Sequence, residues 1–232
     1  MPNFGALKTR VSKRVGLSTT ASGNDDVLLG EYLNDAVRKF LVETKVNVDR
    51  SAITVSAETD DSEMSSNVLQ LVAIEITGTS GESLVPQRVD PEEILWHRRV
   101  TPSSGITTRK YALVGDNLFM WYPSLASGAV VTVYYVPKPT EMSDASHDPS
   151  NSTYGGIPIQ YHDVLEEYAT WKMLDYDDSP KRVAQTEQRY MRMMVEARRA
   201  IRGQGGQSLG KIPRIGGAPP YPLSSPSTDT GW

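Results

Sequence analysis

The chain has 232 residues, a formal net charge of −4 and no cysteine. Its length suits one large domain or two small ones, and the lack of cysteine excludes disulfides, thiolate nucleophiles and cysteine-ligated zinc or iron–sulfur sites. The acidic balance argues against a protein that coats nucleic acid through its overall field, and no apolar run approaches the roughly 18–20 residues of a membrane helix.

The first predicted elements are two helices. Residues 5–15 have Leu7, Val11 and Val15 at helical spacing among basic residues, which fits either a solvated surface helix or a functional basic contact. Residues 25–44 predict a core-facing helix, with Asn24 and Asp25 as N-cap candidates. The apolar face of this second helix consists of Leu29, Leu33, Val37, Phe40 and Leu41.

The pattern then changes to the period of β-strands. Strands are predicted at 52–57 and 68–77, with an acidic, serine-rich turn at 60–66 between them and a return strand from 83 to 85. A helical turn follows, capped by Asp90 and opened by Pro91. We expect Ile94, Leu95 and Trp96 of this turn to close one end of the β-region.

Three further strands and two helices complete the pattern. Strands at 111–114 and 118–122 flank a Gly-Asp-Asn turn, and a strand at 130–136 ends at Pro137 and Pro139. After a polar loop at 140–156, a helix opens at Ile157-Pro158. A last helix begins at Ser179-Pro180 and is expected to end at Gly203.

The order of these elements predicts an α+β fold. Helices from both ends of the chain share one core only if the β-block is inserted between them. We therefore expect a helical bundle from residues 1–46 and 157–203, with an inserted antiparallel β-sandwich or barrel-like domain over 47–156. Residues 204–232 are rich in Gly, Pro and Ser, without periodicity, and predict an extended C-terminal tail.

The sequence offers no catalytic constellation and predicts no cofactor. Histidine occurs only at 97, 147 and 162, and no nucleophile motif accompanies it. His162 and Glu166 stand at i, i+4 and could present two metal ligands, but a third is missing and such pairs are usually surface contacts. We therefore predict no catalytic residue and no metal site.

The last two helices differ sharply in charge. Residues 161–178 carry six acidic side chains against one lysine, whereas residues 181–202 carry seven basic side chains against two acidic ones. Either the two helices pair with each other, or the basic face meets an acidic neighbour or DNA in a channel.

Four motifs follow one another along the chain: Leu-Asn-Asp-Ala-Val-Arg at 33–38, Leu-Phe-Met-Trp-Tyr-Pro at 118–123, Tyr-Tyr-Val-Pro at 134–137 and Ile-Pro-Ile-Gln-Tyr-His at 157–162. In their order and spacing they resemble the head-to-tail adaptor proteins of tailed bacteriophages, also called connector or head-completion proteins. The resemblance covers roughly residues 25–202.

The resemblance implies a structural virion protein of the phage neck, assembled in the host cytoplasm. Such proteins form a ring, commonly a dodecamer, that docks under the portal protein and offers an attachment surface to tail or nozzle proteins. The ring lines the channel through which double-stranded DNA leaves during genome ejection, without sequence specificity, and it contacts no membrane.

Two sets of residues are assigned roles on this basis. The tail would dock on the portal, because a segment without its own core but with apolar anchors suits folding upon binding; its anchors would be Ile212, Ile215, Tyr221, Leu223 and Trp232. The last helix would face the subunit interface or the channel through Arg182, Arg189, Arg192, Arg198 and Arg199.

An alternative function is a binding module. The β-region would then be a sandwich that binds carbohydrate or a host receptor as part of a virion tail protein. Trp96, Trp121 and Tyr122 would be its exposed aromatic platforms, although large aromatic residues in a small β-domain usually fill its core. A hydrolase is a third class, and it would need a triad that the sequence lacks.

Overall fold

The structure is a computed structural model that describes residues 2–17, 23–64, 67–78, 83–100, 108–176 and 180–208. Two short 3-10 turns, Ser152–Tyr154 and Ile159–Tyr161, precede the fourth helix. The α+β class predicted from the sequence is confirmed. The α-helices of the described residues are α1 (Phe4–Val15), α2 (Asn24–Thr44), α3 (Pro91–Val100), α4 (His162–Tyr176) and α5 (Pro180–Ser208).

The strands form two four-stranded sheets with the orders β1-β8-β3-β4 and β2-β7-β6-β5. The pairs are antiparallel except that β5 runs parallel to β6, so the expectation of a purely antiparallel region is wrong at that edge. The strands are β1 (Asp49–Thr54), β2 (Thr59–Glu63), β3 (Val68–Thr77), β4 (Ser83–Leu84), β5 (Gln87–Arg88), β6 (Lys110–Val114), β7 (Leu118–Leu125) and β8 (Val130–Pro137).

Helices from both ends of the chain contribute to one hydrophobic cluster. Leu7 and Val11 of α1, Phe40 of α2, Leu165 of α4 and Met194 of α5 are among its buried members. Helix α4 lies at the centre, since it contacts α1, α2 and α5 and every residue from 164 to 170 is buried. A helix covered on all sides must have its polar side chains paired inside the protein.

A second cluster joins the two sheets. Ile74 and Val133 of the first sheet meet Phe119 and Trp121 of the second. The alternate residues of β7, Met120 and Tyr122, instead lie with Ile94 of α3 in a third cluster. Strand β7 is thus covered on both faces, which explains why its apolar run is uninterrupted rather than alternating.

The connection from β8 to α4 lies against the first two helices. The amide of Phe4 donates to the His147 carbonyl at 2.7 Å. The Asn34 side chain on α2 bonds both polar groups of the Met142 backbone, accepting from N at 2.9 Å and donating to O at 3.1 Å. Gly155, with φ of +133°, brings the backbone so close to Val37 that a Cβ would lie 3.0 Å from its Cγ1.

The predicted turn at 60–66 is wrong over its first half. Residues Thr59–Glu63 form β2, the edge strand that pairs with β7. This strand carries no large apolar side chain, because its outward positions face solvent at a sheet edge, where charge hinders pairing with other chains. Strand β1 likewise begins three residues before the predicted 52–57 strand and ends at Thr54.

Three predicted helix ends also need correction. Helix α2 is preceded by Gly23 at the N-cap, with no side-chain cap, and Asn24 is its first residue. The Ile157-Pro158 opening leads into a 3-10 turn, and α4 itself begins at His162. Helix α5 continues past Gly203 to Ser208, since a glycine in a helix costs only about 1 kcal/mol.

The tail predicted for 204–232 therefore begins in helical backbone, and residues 209–232 lie outside the described part of the chain. Among the helices that are described, none is long and apolar enough to cross a membrane.

Candidate functional site

A set of ion pairs joins α1 to α4. Glu166 is completely buried, and its two carboxylate oxygens lie 2.9 Å from Arg10 and 3.0 Å from Arg14. Arg14 also contacts the neighbouring Glu167 at 2.9 Å. The basic side of α1 is thus an internal contact that neutralises two buried carboxylates, while its apolar side packs into the helical cluster. This decides against a solvated surface helix.

Helix α5 shares its basic residues between internal contacts and solvent. Arg189 Nε lies 3.6 Å from Glu167, and Arg182 donates to the Arg14 carbonyl at 2.8 Å. Arg198 pairs with Glu43 on α2. By contrast, Arg192 and Arg199 are exposed and form no ion pair with any described residue. These two arginines stand seven positions apart, and so lie on one side of the helix.

A groove lies between α2 and α5, with a volume of 580 Å³. Its aromatic wall consists of Trp171 and Tyr190, whose rings stack at 5.7 Å and 24°. Burial raises the pKa of Tyr190 to about 12, with a smaller contribution from neighbouring Tyr168. The other lining residues include the exposed apolar side chains of Val42, Met191 and Val195, and the basic Arg38, Lys39 and Arg198.

This groove was not predicted from the sequence, although a pattern that indicates it is present there. The core stripe of α5 runs through Tyr190, Met194 and Ala197, which are buried. Met191 and Val195 form a second apolar pair at i, i+4 that stands outside this stripe and is 49% and 43% exposed. A surplus apolar pair beside the core stripe of a helix is the pattern that could have indicated a groove.

The family model of the SU10 adaptor protein matches residues 2–210. The chain belongs to the SU10 adaptor protein family. The predicted relationship to phage head-to-tail adaptors is thereby confirmed, and an adaptor is a structural role. The match begins at residue 2 and so includes α1, which lies outside the roughly 25–202 covered by the sequence motifs. No curated protein matches the chain.

Membership in this structural family favours the predicted absence of an enzymatic role. His162 and Glu166, the pair considered as metal ligands, serve other contacts in this family member. His162 is buried with Nε2 3.1 Å from the Ile157 carbonyl, and Glu166 is held by the two arginines of α1. Among the described residues no group of three potential His, Asp or Glu ligands comes together.

Of the three aromatic residues that a binding module would expose, two are buried and Trp96 is exposed. Trp121 is fully buried and Tyr122 is 4% exposed, so both are core residues. Trp96 was expected to close the end of the β-region. Its side chain is instead 55% exposed, and that of Leu95 is 44% exposed. Of the three residues predicted to close the β-region, only Ile94 is buried, because only one face of α3 packs on β6 and β7.

Beside Trp96, a small polar cluster ties α3 to β6. Lys110 Nζ lies 2.6 Å from Glu93 Oε1 and 2.8 Å from His97 Nε2, and the His97 ring stacks on Tyr122. The hydrogen bond from Lys110, followed by its charge, holds the pKa of Glu93 below its ordinary value. These contacts anchor α3 to the second sheet of this protein.

The residues assigned to portal docking lie beyond the described part of the chain. These are Ile212, Ile215, Tyr221, Leu223 and Trp232. Their role stays a prediction.

Proposed function

We propose that the protein is a head-to-tail adaptor that assembles as a ring under the portal of a phage capsid, provides the attachment surface for the tail and lines the DNA exit channel. The observation that carries the proposal is the match of the SU10 adaptor protein family to nearly the whole chain. Its place is the virion neck, and its partners are further copies of itself, the portal, tail or nozzle proteins and the DNA that passes through.

The proposed domain division accompanies this function. Residues 1–46 and 157–203 form the helical part, 47–156 the inserted β-domain, and 204–232 the tail. The shared core of α1, α2, α4 and α5 supports this division, because helices encoded before and after the β-strands bury one another.

Arg192 and Arg199 are the best candidates for the channel wall among the five arginines of α5. Arg182, Arg189 and Arg198 already have internal partners, whereas these two face solvent on one side of the helix. Unpaired guanidinium groups attract DNA phosphates without reading sequence, and they would do so more weakly at high salt. The alternative location for the same face is the contact between adjacent subunits.

Neutralising both arginines, Arg192→Gln with Arg199→Gln, separates the two locations. If the face lines the channel, rings form normally but their DNA binding becomes weaker and less dependent on salt. If the face is a subunit contact, the change prevents ring formation, as native mass spectrometry would detect. Intact rings with unchanged DNA binding would contradict both. Lys13→Gln with Arg99→Gln, both exposed and both outside α5, is the matched control for the charge removed.

The tail is tested by ending the chain after Ser208. Every described helix and strand ends at or before Ser208, so the truncated protein should keep the secondary structure of the full chain. It should fail to bind portal particles in sedimentation. Normal docking of the truncated protein would show that the tail is not the portal anchor.

A further inference from the structure

The groove between α2 and α5 has the character of a site for a proline-rich peptide. Trp171, which is half-buried, supplies an aromatic surface with the buried Tyr190 ring stacked behind it, while Val42, Met191 and Val195 supply apolar edges that are open to solvent. Grooves lined by aromatic residues recognise proline-rich segments, which enter binding with little conformational entropy to lose.

The rim of the groove provides donors that such a peptide needs. A polyproline II helix has no internal hydrogen bonds, so its carbonyl groups stay available as acceptors. Arg198 lines the groove, and its Nε is buried without an acceptor among the described residues. One of its terminal nitrogens, Nη2, pairs with Glu43, which holds the guanidinium at the rim. A buried donor without a partner calls for an acceptor from outside the described fold.

The chain itself carries a matching segment. Residues 218–222 read Ala-Pro-Pro-Tyr-Pro, ten residues after the end of α5. The part of α5 from Met194 to Ser208 is roughly 21 Å long at about 1.5 Å per residue. Residues 209–218 can span roughly 33 Å when extended, and glycines at 210, 216 and 217 permit the chain to reverse.

We propose that Pro219–Pro222 of the free subunit folds back along α5 and binds in the groove of its own chain. The prolines pack on Trp171 and Met191, Tyr221 lies over Val195, and a backbone carbonyl accepts from Arg198 Nε. The segment includes Tyr221, the proposed portal anchor, so portal and groove compete for it. The groove keeps the tail from binding until a portal is present.

The natural absence of cysteine permits a direct test by cross-linking. The full chain with Val42→Cys and Ser224→Cys is treated with a short, rigid bis-maleimide in the absence of portal, and products are sized under denaturing conditions. The expected product is an internally linked monomer. The matched control pairs Ser224→Cys with Ala126→Cys, an exposed position in the β-region that should link far more slowly.

Further variants locate the contact. Val195→Glu places a charge in the groove, and we expect the linking rate to fall about tenfold, which corresponds to about 1.4 kcal/mol. Ala200→Glu, exposed on α5 but outside the groove, should leave the rate unchanged. Replacing Pro219 and Pro220 together by alanine should slow linking to a similar degree.

Three results would overturn the proposal: equal rates from positions 42 and 126, a Val195→Glu rate equal to that of the parent, or products only of dimer size. Dimer-sized products alone would mean that the groove takes the tail of another copy. Because no portal is present, these results do not depend on whether the tail also binds the portal.

Discussion

The Arg10 guanidinium lies 2.9 Å from a carboxylate oxygen of Glu166, a residue 156 positions later in the chain and completely buried. This contact, with that of Arg14 to the same carboxylate, fastens the first helix to the central one. A buried carboxylate is tolerated only when it is paired. Helix α1 is therefore part of the helical core of this adaptor, and its Arg10 and Arg14 are engaged in internal ion pairs.

The first prediction concerns this pairing. Replacing Arg10 and Arg14 together by alanine leaves Glu166 buried and unpaired, and we expect a loss of about 3 kcal/mol in the free energy of unfolding. Arg10→Ala alone should cost only about 1 kcal/mol, because Arg14 remains and both arginines are partly exposed. Urea denaturation measures both values.

Lys13→Ala is the control for that experiment, since Lys13 is exposed on the same helix and should change stability by less than about 0.5 kcal/mol. If the double variant were no less stable than the control, Glu166 would not depend on α1 for its charge partner.

The second prediction concerns Gly155. Its φ of +133° is rarely adopted by other residues, and a Cβ there would lie 3.0 Å from Val37 Cγ1. Gly155→Ala should therefore lower stability by about 1–3 kcal/mol. Gly203→Ala provides the contrast: it lies in α5 with open space around its Cβ position, and the change should stabilise the helix by about 0.5–1 kcal/mol. Midpoint temperatures of thermal unfolding that shift in the same direction for both variants would contradict this account.

The third prediction concerns Asn34, which anchors the β8–α4 connection through two hydrogen bonds to Met142. Asn34→Ala removes both and should cost about 1–2 kcal/mol. Asn34→Asp keeps an oxygen that accepts from the Met142 amide but loses the donor to the Met142 carbonyl. It should therefore protect that amide from hydrogen exchange better than alanine does. Hydrogen exchange at that amide distinguishes them, and equal exchange in all three proteins would argue against the anchor.

The fourth prediction concerns alkaline pH. The pKa of Tyr190 is raised to about 12 by burial, above the ordinary value near 10. Since the folded state holds this proton more tightly than the unfolded state, its contribution is complete below about pH 10 and is lost as the pH rises toward 12. Tyr190→Phe should therefore weaken the loss of stability between pH 10 and 12. An unchanged stability profile over that range would mean that Tyr190 ionises normally.

The helical elements were the most predictable part of the fold. The apolar face of α2 follows from its 3.6-residue spacing, and Pro91 and Pro180 stand where α3 and α5 begin. Strand β2 escaped prediction because an edge strand needs no apolar side chains. Trp96 was misplaced because sequence cannot tell which face of a short helix meets the sheet.

The polar contacts were not predictable for a different reason. The charge difference between residues 161–178 and 181–202 suggested that α4 pairs with α5, and Arg189 does approach Glu167. The closer partners of the α4 carboxylates come from α1, at a sequence separation that no local pattern reveals. The family, by contrast, was recognisable from the order of its motifs, two of which, at 134–137 and 157–162, mark where the chain leaves the β-strands and re-enters the helices.

The most direct test of the adaptor function is electron microscopy of the purified protein mixed with the portal protein of the same phage. The account predicts a closed ring of this protein stacked coaxially on the portal ring, with the C-terminal tail at the contact between them. Particles that carry no second ring, or copies bound around the outside of the portal without closing a ring, would contradict it.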